Sequence, residues 1–188
     1  MNEYAGRRRE FFESLARYLD RYRRVRIGPR LTLVFENRQT LWFRVQELLR
    51  ICRLTDPARV QQELDLYNRL LPGRGRLHAA LLLDVADECR LCEELAAWQD
   101  LRGEDLALRV GDERFPAELV TCRPEDRALG AAHWVQFAVG DAGRKLLRDP
   151  GVPAYFELEH ASYQHLSPPL GDEVRHSLAD DLDLSERD

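Results

Sequence analysis

Between Gly28 and Gly73 the chain reads GPRLTLVFENRQTLWFRVQELLRICRLTDPARVQQELDLYNRLLPG. No other stretch constrains the fold as strongly. Leu31, Leu33 and Phe35 alternate with Thr32, Val34 and Glu36, which is the period of a strand and sends Glu36 to the face opposite Phe35. Asn37 then offers a helix cap, and the apolar spacing changes to Leu41, Val45, Leu48, Leu49 and Cys52. Thr55-Asp56-Pro57 starts a second helix, with a cap residue followed by proline at the first helical position. Val60, Leu64, Tyr67 and Leu71 share one side of it, and Pro72-Gly73 ends it. A strand that feeds a helix hairpin is expected here. Glu, Gln, Asn and Arg are dense among the apolar positions, so polar groups are carried into partly buried places. Such groups are costly unless paired, and they form either a structural network or a site.

The flanking segments supply more strands than helices. Residues 6–23 repeat Phe11, Leu15, Tyr18, Leu19 and Tyr22 at helical spacing with arginines opposite. Residues 25–28 form a strand that turns at Gly28-Pro29. Residues 76–83 are apolar enough for a central strand, and a helix is expected from Asp84 or Asp87 to about Leu101. Leu106–Val110 and Arg114–Thr121 make a hairpin across Gly111-Asp112. Strands at Ala132–Val139 and Pro153–His160 flank a short helix at 141–148, and 171–182 has helical spacing. The expectation is an α+β fold in a single domain. A mixed or mostly antiparallel sheet is packed by the helix hairpin and two or three further helices. Residues 1–170 form the domain and 171–188 an acidic C-terminal helix or tail.

The chain has 188 residues, enough for one proper core. No apolar run approaches the ~20 residues of a membrane helix. The N-terminal MNEYAGRRRE lacks the apolar region of a secretory signal. A cytoplasmic protein without a membrane contact is expected. Net charge is −5, which argues against bulk nucleic-acid binding. The charge is uneven: residues 1–30 hold nine Arg against four acids, and residues 172–188 hold seven acids against two Arg. Solvated charged faces explain this, and so does a partner surface or a tail folded back on the first helix.

The strongest polar constellation is Glu36, Asn37, Arg38, Gln46, Glu47, Glu63, Tyr67 and Asn68. Glu63 and Tyr67 share a helix face, as do Glu47 and Arg50. One reading is a ligand pocket in which Arg38 grips an anion and Glu47 or Glu63 acts as base. The other is a buried ion-pair network fixing the hairpin on the sheet. Metal candidates are Glu47 and Glu63 from two antiparallel helices, and His160 and His165 near the last strand, with iron or zinc as the ion such ligands suit. Glu157 and Glu159 share one strand face and His160 takes the other, which opposes a metal there. Cys89 and Cys92 have redox or zinc spacing. Asp87 and Glu88 precede them and no second pair follows, so reduced core cysteines are expected. Nucleotide-binding, hydrolase-elbow and RNA-recognition motifs do not occur in the sequence.

The segments GPRLTLVFENRQT, QELLR and ELDLYNRLLP resemble a bacterial family of uncharacterised proteins, a domain of unknown function. Its pattern is GPxLTLxFENRxT, then QE-hydrophobic-LR, then ELDxYNxLxP. The resemblance marks Glu36, Asn37, Arg38, Thr40, Gln46, Glu47, Glu63, Tyr67 and Asn68 as motif residues. It also implies a gene neighbourhood of rubrerythrin-like and iron–sulfur oxidoreductase proteins, hence an accessory role beside one of them. The family pattern implies an acidic residue where Cys52 stands and a histidine where Gln62 stands. A metal site built on those two would be lost in this chain. Three functional readings follow: a binding or accessory protein docking on an iron or redox enzyme; an enzyme, metal-assisted or not, with a Glu/Arg/Tyr pocket; and a peptide- or substrate-recognition subunit using a sheet edge.

Overall fold

The computed structural model describes residues 2–84, 89, 91–120, 132–161 and 163–183. Eight strands form one sheet in the order β1-β2-β3-β6-β5-β4-β7-β8. They are β1 (Arg24–Ile27), β2 (Leu31–Phe35), β3 (Arg76–Leu83), β4 (Leu106–Val110), β5 (Glu113–Val120), β6 (Ala132–Ala138), β7 (Ala154–His160) and β8 (Tyr163–Leu166). Every pairing is antiparallel. The helices are α1 (Asn2–Tyr22), α2 (Arg38–Ile51), α3 (Pro57–Asn68), α4 (Leu91–Ala96), α5 (Gly140–Arg148) and α6 (Asp172–Asp181). The fold is α+β, with the expected helix hairpin (α2–α3) and four further helices.

The sheet curls strongly. Five strand spacings separate β2 from β7, about 24 Å across a flat sheet. Yet the rings of Phe35 (β2) and Phe156 (β7) lie 5.3 Å apart, and Phe137 (β6) is 5.4 Å from Phe156. The inward-facing residues of distant strands therefore meet across the interior of a nearly closed barrel. That interior is filled by Ile27, Leu33, Leu81, Leu108 and these three rings, all essentially inaccessible. Leu147 of α5 and Leu178, Ala179 and Leu182 around α6 join the same core.

One hydroxyl ties the two ends of the sheet. The Tyr163 O–H at the start of β8 donates to the Ile27 carbonyl at 2.7 Å and accepts from the Arg30 N–H at 3.0 Å. The turn it grips passes through Gly28 at φ 64. A Cβ there would lie 2.5 Å from the His165 ring, so only glycine permits this approach. Strand β8 itself escapes sequence reading, because YQHL carries no apolar alternation.

The carboxy-terminal helix is bound tightly into the domain. Asp181 of α6 and Arg23, between α1 and β1, form a buried ion pair at 7% and 4% side-chain exposure. Arg175 is buried and donates to the carbonyls of Leu147 at 2.9 Å, Leu146 at 3.1 Å and Val152 at 2.6 Å. Its guanidinium satisfies acceptors that the end of α5 leaves open.

The segment before β4 departs from expectation. Among the described residues of this segment the α-helix α4 spans Leu91–Ala96, after which a turn buries Trp98 and Leu101 in the core. Trp98 stacks on His160 at 5.7 Å and meets Tyr163 edge-on at 5.1 Å. A Trp that must reach the barrel wall two residues past the helix end outweighs the propensity to continue it. The expected starts differ in standing: Asp84 directly follows β3, and Asp87 lies outside the described residues.

Replacing Asp181 with Ala leaves a buried guanidinium unpaired and is expected to cost roughly 3–5 kcal/mol in urea unfolding. Tyr163→Phe removes one donor and one acceptor at the seam and is expected to cost about 1–3 kcal/mol. Full stability in both variants would mean that neither contact forms in solution.

Candidate functional site in the helical layer

The chain from β2 into α2 explains the first part of the polar motif. Asn37 caps α2: its side chain accepts from the Thr40 N–H at 3.1 Å, and the Thr40 hydroxyl accepts from the Asn37 N–H at 2.9 Å. That hydroxyl donates to Glu36, which is completely buried. Arg44, two turns along α2, donates through Nε to the same carboxylate at 2.8 Å and lays its guanidinium 5.2 Å over the Trp134 ring of β6. Asn37 also donates to the Tyr18 hydroxyl at 2.8 Å, and Tyr18 accepts from Arg23 Nε at 2.9 Å. Glu36 and Asn37 therefore belong to a continuous network that runs to Asp181.

Glu47 belongs to a second network. Its carboxylate accepts from the Tyr4 hydroxyl at 2.6 Å, from Arg8 at 2.7 and 2.8 Å, and from Arg50 at 3.1 and 3.0 Å. Arg8 and Arg50 hold the Glu47 carboxyl well below the usual carboxylate range. Burial, together with donation to Glu47, pushes the Tyr4 hydroxyl up to about 12. This clamp fastens α1 to α2. Tyr4 and Arg8 are four apart on one helical face, a spacing that could have marked them as partners of one acceptor. Sequence reasoning missed them because their acceptor lies 39 or more residues away.

The other motif residues lie on α2 and α3. Glu63 and Tyr67 are half-buried on α3, where Tyr67 packs on Val45, Leu49 and Leu54. Gln46 is half-buried, and Arg38 and Asn68 are exposed. An open groove of about 400 Å³ lies between α1 and α6, lined by Tyr18, Tyr22, Asp172, Glu173 and Asp180; it includes none of the eight predicted site residues. His160 bonds Asp105 at 3.2 Å and the Ala97 carbonyl at 3.2 Å. His165 lies beside Tyr163 at the seam, ring centroids 4.2 Å apart. The four candidate metal ligands Glu47, Glu63, His160 and His165 do not converge. Among the described residues no group of three or more His, Cys, Asp or Glu could hold a metal ion.

The cysteine expectation needs correction. Cys89 and Cys92 are exposed, as is Cys52. They were expected in the core from a long helix whose apolar side would carry them inward. The short α4 instead presents Cys92 to solvent. Cys122 lies outside the described residues.

Outside the polar networks the α1–α2 pair is aromatic. Tyr4 stacks on Phe11 at 5.7 Å and meets Trp42 and Phe43 edge-on at 5.9 and 6.0 Å. Phe11 meets Trp42 at 5.6 Å, and Phe12 meets Phe43 at 6.1 Å. Tyr4 and Phe43 are buried, whereas Phe12 is 53% and Trp42 45% exposed. Arg7 and Arg8 lie over the rings of Phe11 and Phe12 at 5.2 and 5.8 Å. Sequence reading did not mark this face: of its aromatics only Phe11 stands in a stripe the sequence displayed.

These features define a class: an antiparallel, nearly closed barrel whose flank carries a polar-tied helical layer. The chain belongs to the family described as a protein of unknown function, DUF3501, whose model matches residues 1–182. It is similar to a novel protein of unknown function from Burkholderia pseudomallei K96243, a crystal structure at 1.90 Å, with 30% identity and a TM-score of 0.87 over 97% of this chain and 94% of that one. No curated protein matches it. Among the described residues no helix is long and apolar enough to cross a membrane.

The depressed Glu47 carboxyl sets a pH dependence. The unfolded group titrates near 4.5; the folded one titrates lower, so its contribution is whole above that value and is lost as pH falls towards the folded one. Glu47→Gln is expected to cost roughly 1.5–3 kcal/mol at neutral pH. It should also shrink the further loss on acidification, as thermal melts at neutral and acid pH would show. An unchanged acid loss in E47Q would assign that loss to other groups.

Proposed function

We propose that this is a binding or accessory protein that works through its helical layer, docking on an enzyme of iron or redox metabolism. One observation carries the reading: Phe12 and Trp42 stay open to solvent on a helix pair whose carboxylates, the buried Glu36 and the half-buried Glu47, are spent on fixing that pair. Carboxylates held by arginines are poor general bases, which counts against the enzyme reading. Large solvent-facing aromatics are the usual anchors of a protein interface. The partner class, rubrerythrin-like or iron–sulfur, is the one that the family motif implies. The exposed thiols of Cys52 and Cys92 suit a reducing compartment, and the proposal sets the protein in the cytoplasm.

Purification of the tagged protein from its native host is expected to bring down a stoichiometric iron or redox protein, identified by mass spectrometry and metal analysis. A solitary protein under mild conditions, at native expression, would overturn the proposal.

A further inference from the structure

We propose that the docking surface is the α1–α2 face around Phe12 and Trp42, and that its occupant is a protein surface rich in acids with an apolar centre. This rests on the accessory reading above and names where and what that reading binds. The charge of the chain is strongly polar along its length. Residues 1–74 carry sixteen arginines against nine acids, whereas residues 75–188 carry twelve bases against twenty-four acids. The helical layer and strands β1 and β2 thus hold a surplus of positive charge on a molecule of net charge −5. Among the acids of that second part, Asp181 is buried against Arg23, while Glu173 pairs with Arg21, and Asp180 and Asp183 with Arg148, at the surface. An approaching acidic surface is attracted to the α1–α2 side and repelled by the rest.

The face has the composition of an interface centre. Trp42 and Phe12 supply rigid apolar area. Arg7, at 56% side-chain exposure, and Arg8 and Arg50, each at 40%, rim it. Arg38 lies one turn before Trp42 on the same side of α2. Trp and Arg dominate binding energy where they occur in interfaces, and the arginines keep positive charge at the edge of the aromatic area. Glu10 and Glu13 interleave with the arginines, paired to Arg7 and Arg9. Such a mosaic suits a protein surface with both signs and opposes a uniformly anionic membrane or a nucleic acid.

The test uses the full-length protein and a synthetic helical peptide with leucines on one face and glutamates beside them. The indole N–H resonance of Trp42 is followed, with phosphatidylglycerol vesicles and sedimentation of the protein alone as comparisons. The expected result is a shift of that resonance on adding peptide to the unaltered protein, binding by titration calorimetry that weakens with salt, and a loss of about tenfold or more in calorimetric affinity in Phe12→Ala/Trp42→Ala. Arg7→Glu/Arg38→Glu tests the charge separately, should the aromatic variant unfold. A lysine version of the peptide should not bind. Vesicle binding without peptide binding, or self-association that protects Trp42, would overturn the proposal. A native complex that survives both double variants would also overturn it while leaving the accessory reading intact. Absence of any native complex would end the accessory reading itself.

Discussion

The buried pair of Arg23 and Asp181 is the point on which the arrangement of the helices depends. Arg23 lies where α1 becomes β1, and Asp181 lies at the end of α6. From Arg23 the bonds continue to Tyr18, to the Asn37 cap, to Thr40, to Glu36 and to Arg44 over Trp134. One chain of contacts therefore registers α6, α1, the β2–α2 corner and the outer face of β6. Burial pushes the Asp181 carboxyl above its ordinary value even with Arg23 against it. Arg23, despite its own burial, is held above its ordinary value by Asp181, and a buried pair of this kind adds little net stability over an apolar pair of similar size. Its strength lies in the cost of breaking it, which excludes any packing of α6 that separates the two.

The barrel and the helical layer are stabilised differently. Inside the sheet the Phe35, Phe137 and Phe156 rings and the leucines around them bury apolar area. Such a core tolerates exchanges that conserve volume. Outside, each buried carboxylate has its own arginine, and removal of one partner strands the other. The helical layer is therefore more specific and more brittle than the barrel on which it sits.

Legibility in the sequence followed the range of the interaction. The period-two run Leu31–Phe35, the Asn37 cap and the Pro57 start are local signals, and β2, α2 and α3 formed where those signals stand. The polar motif was legible as a set of residues but not as an arrangement. Glu36 and Glu47 share a helix–strand unit, yet their partners come from Arg44 on one side and from Tyr4 and Arg8 of another helix on the other. Nothing in a one-dimensional pattern reports that α1 crosses α2. The short α4 was missed for a related reason: the pull on Trp98 comes from His160 and Tyr163, some sixty residues downstream.

The Glu47 clamp also bears on how tightly a partner could be held. Association costs the freedom of every side chain that must be immobilised, about 0.5–1.5 kcal/mol each. Tyr4 is fixed by its bond to Glu47 and touches Phe11, Trp42 and Phe43. The rings of the open face are thus braced from beneath before any partner arrives. Arg8 is committed in the same way, one guanidinium edge on Glu47 and its plane over Phe12. A motif carboxylate that neither catalyses nor binds a ligand can therefore still govern affinity, by making the aromatic face rigid. On that account Glu47 belongs to the function of the surface as much as to the stability of the fold.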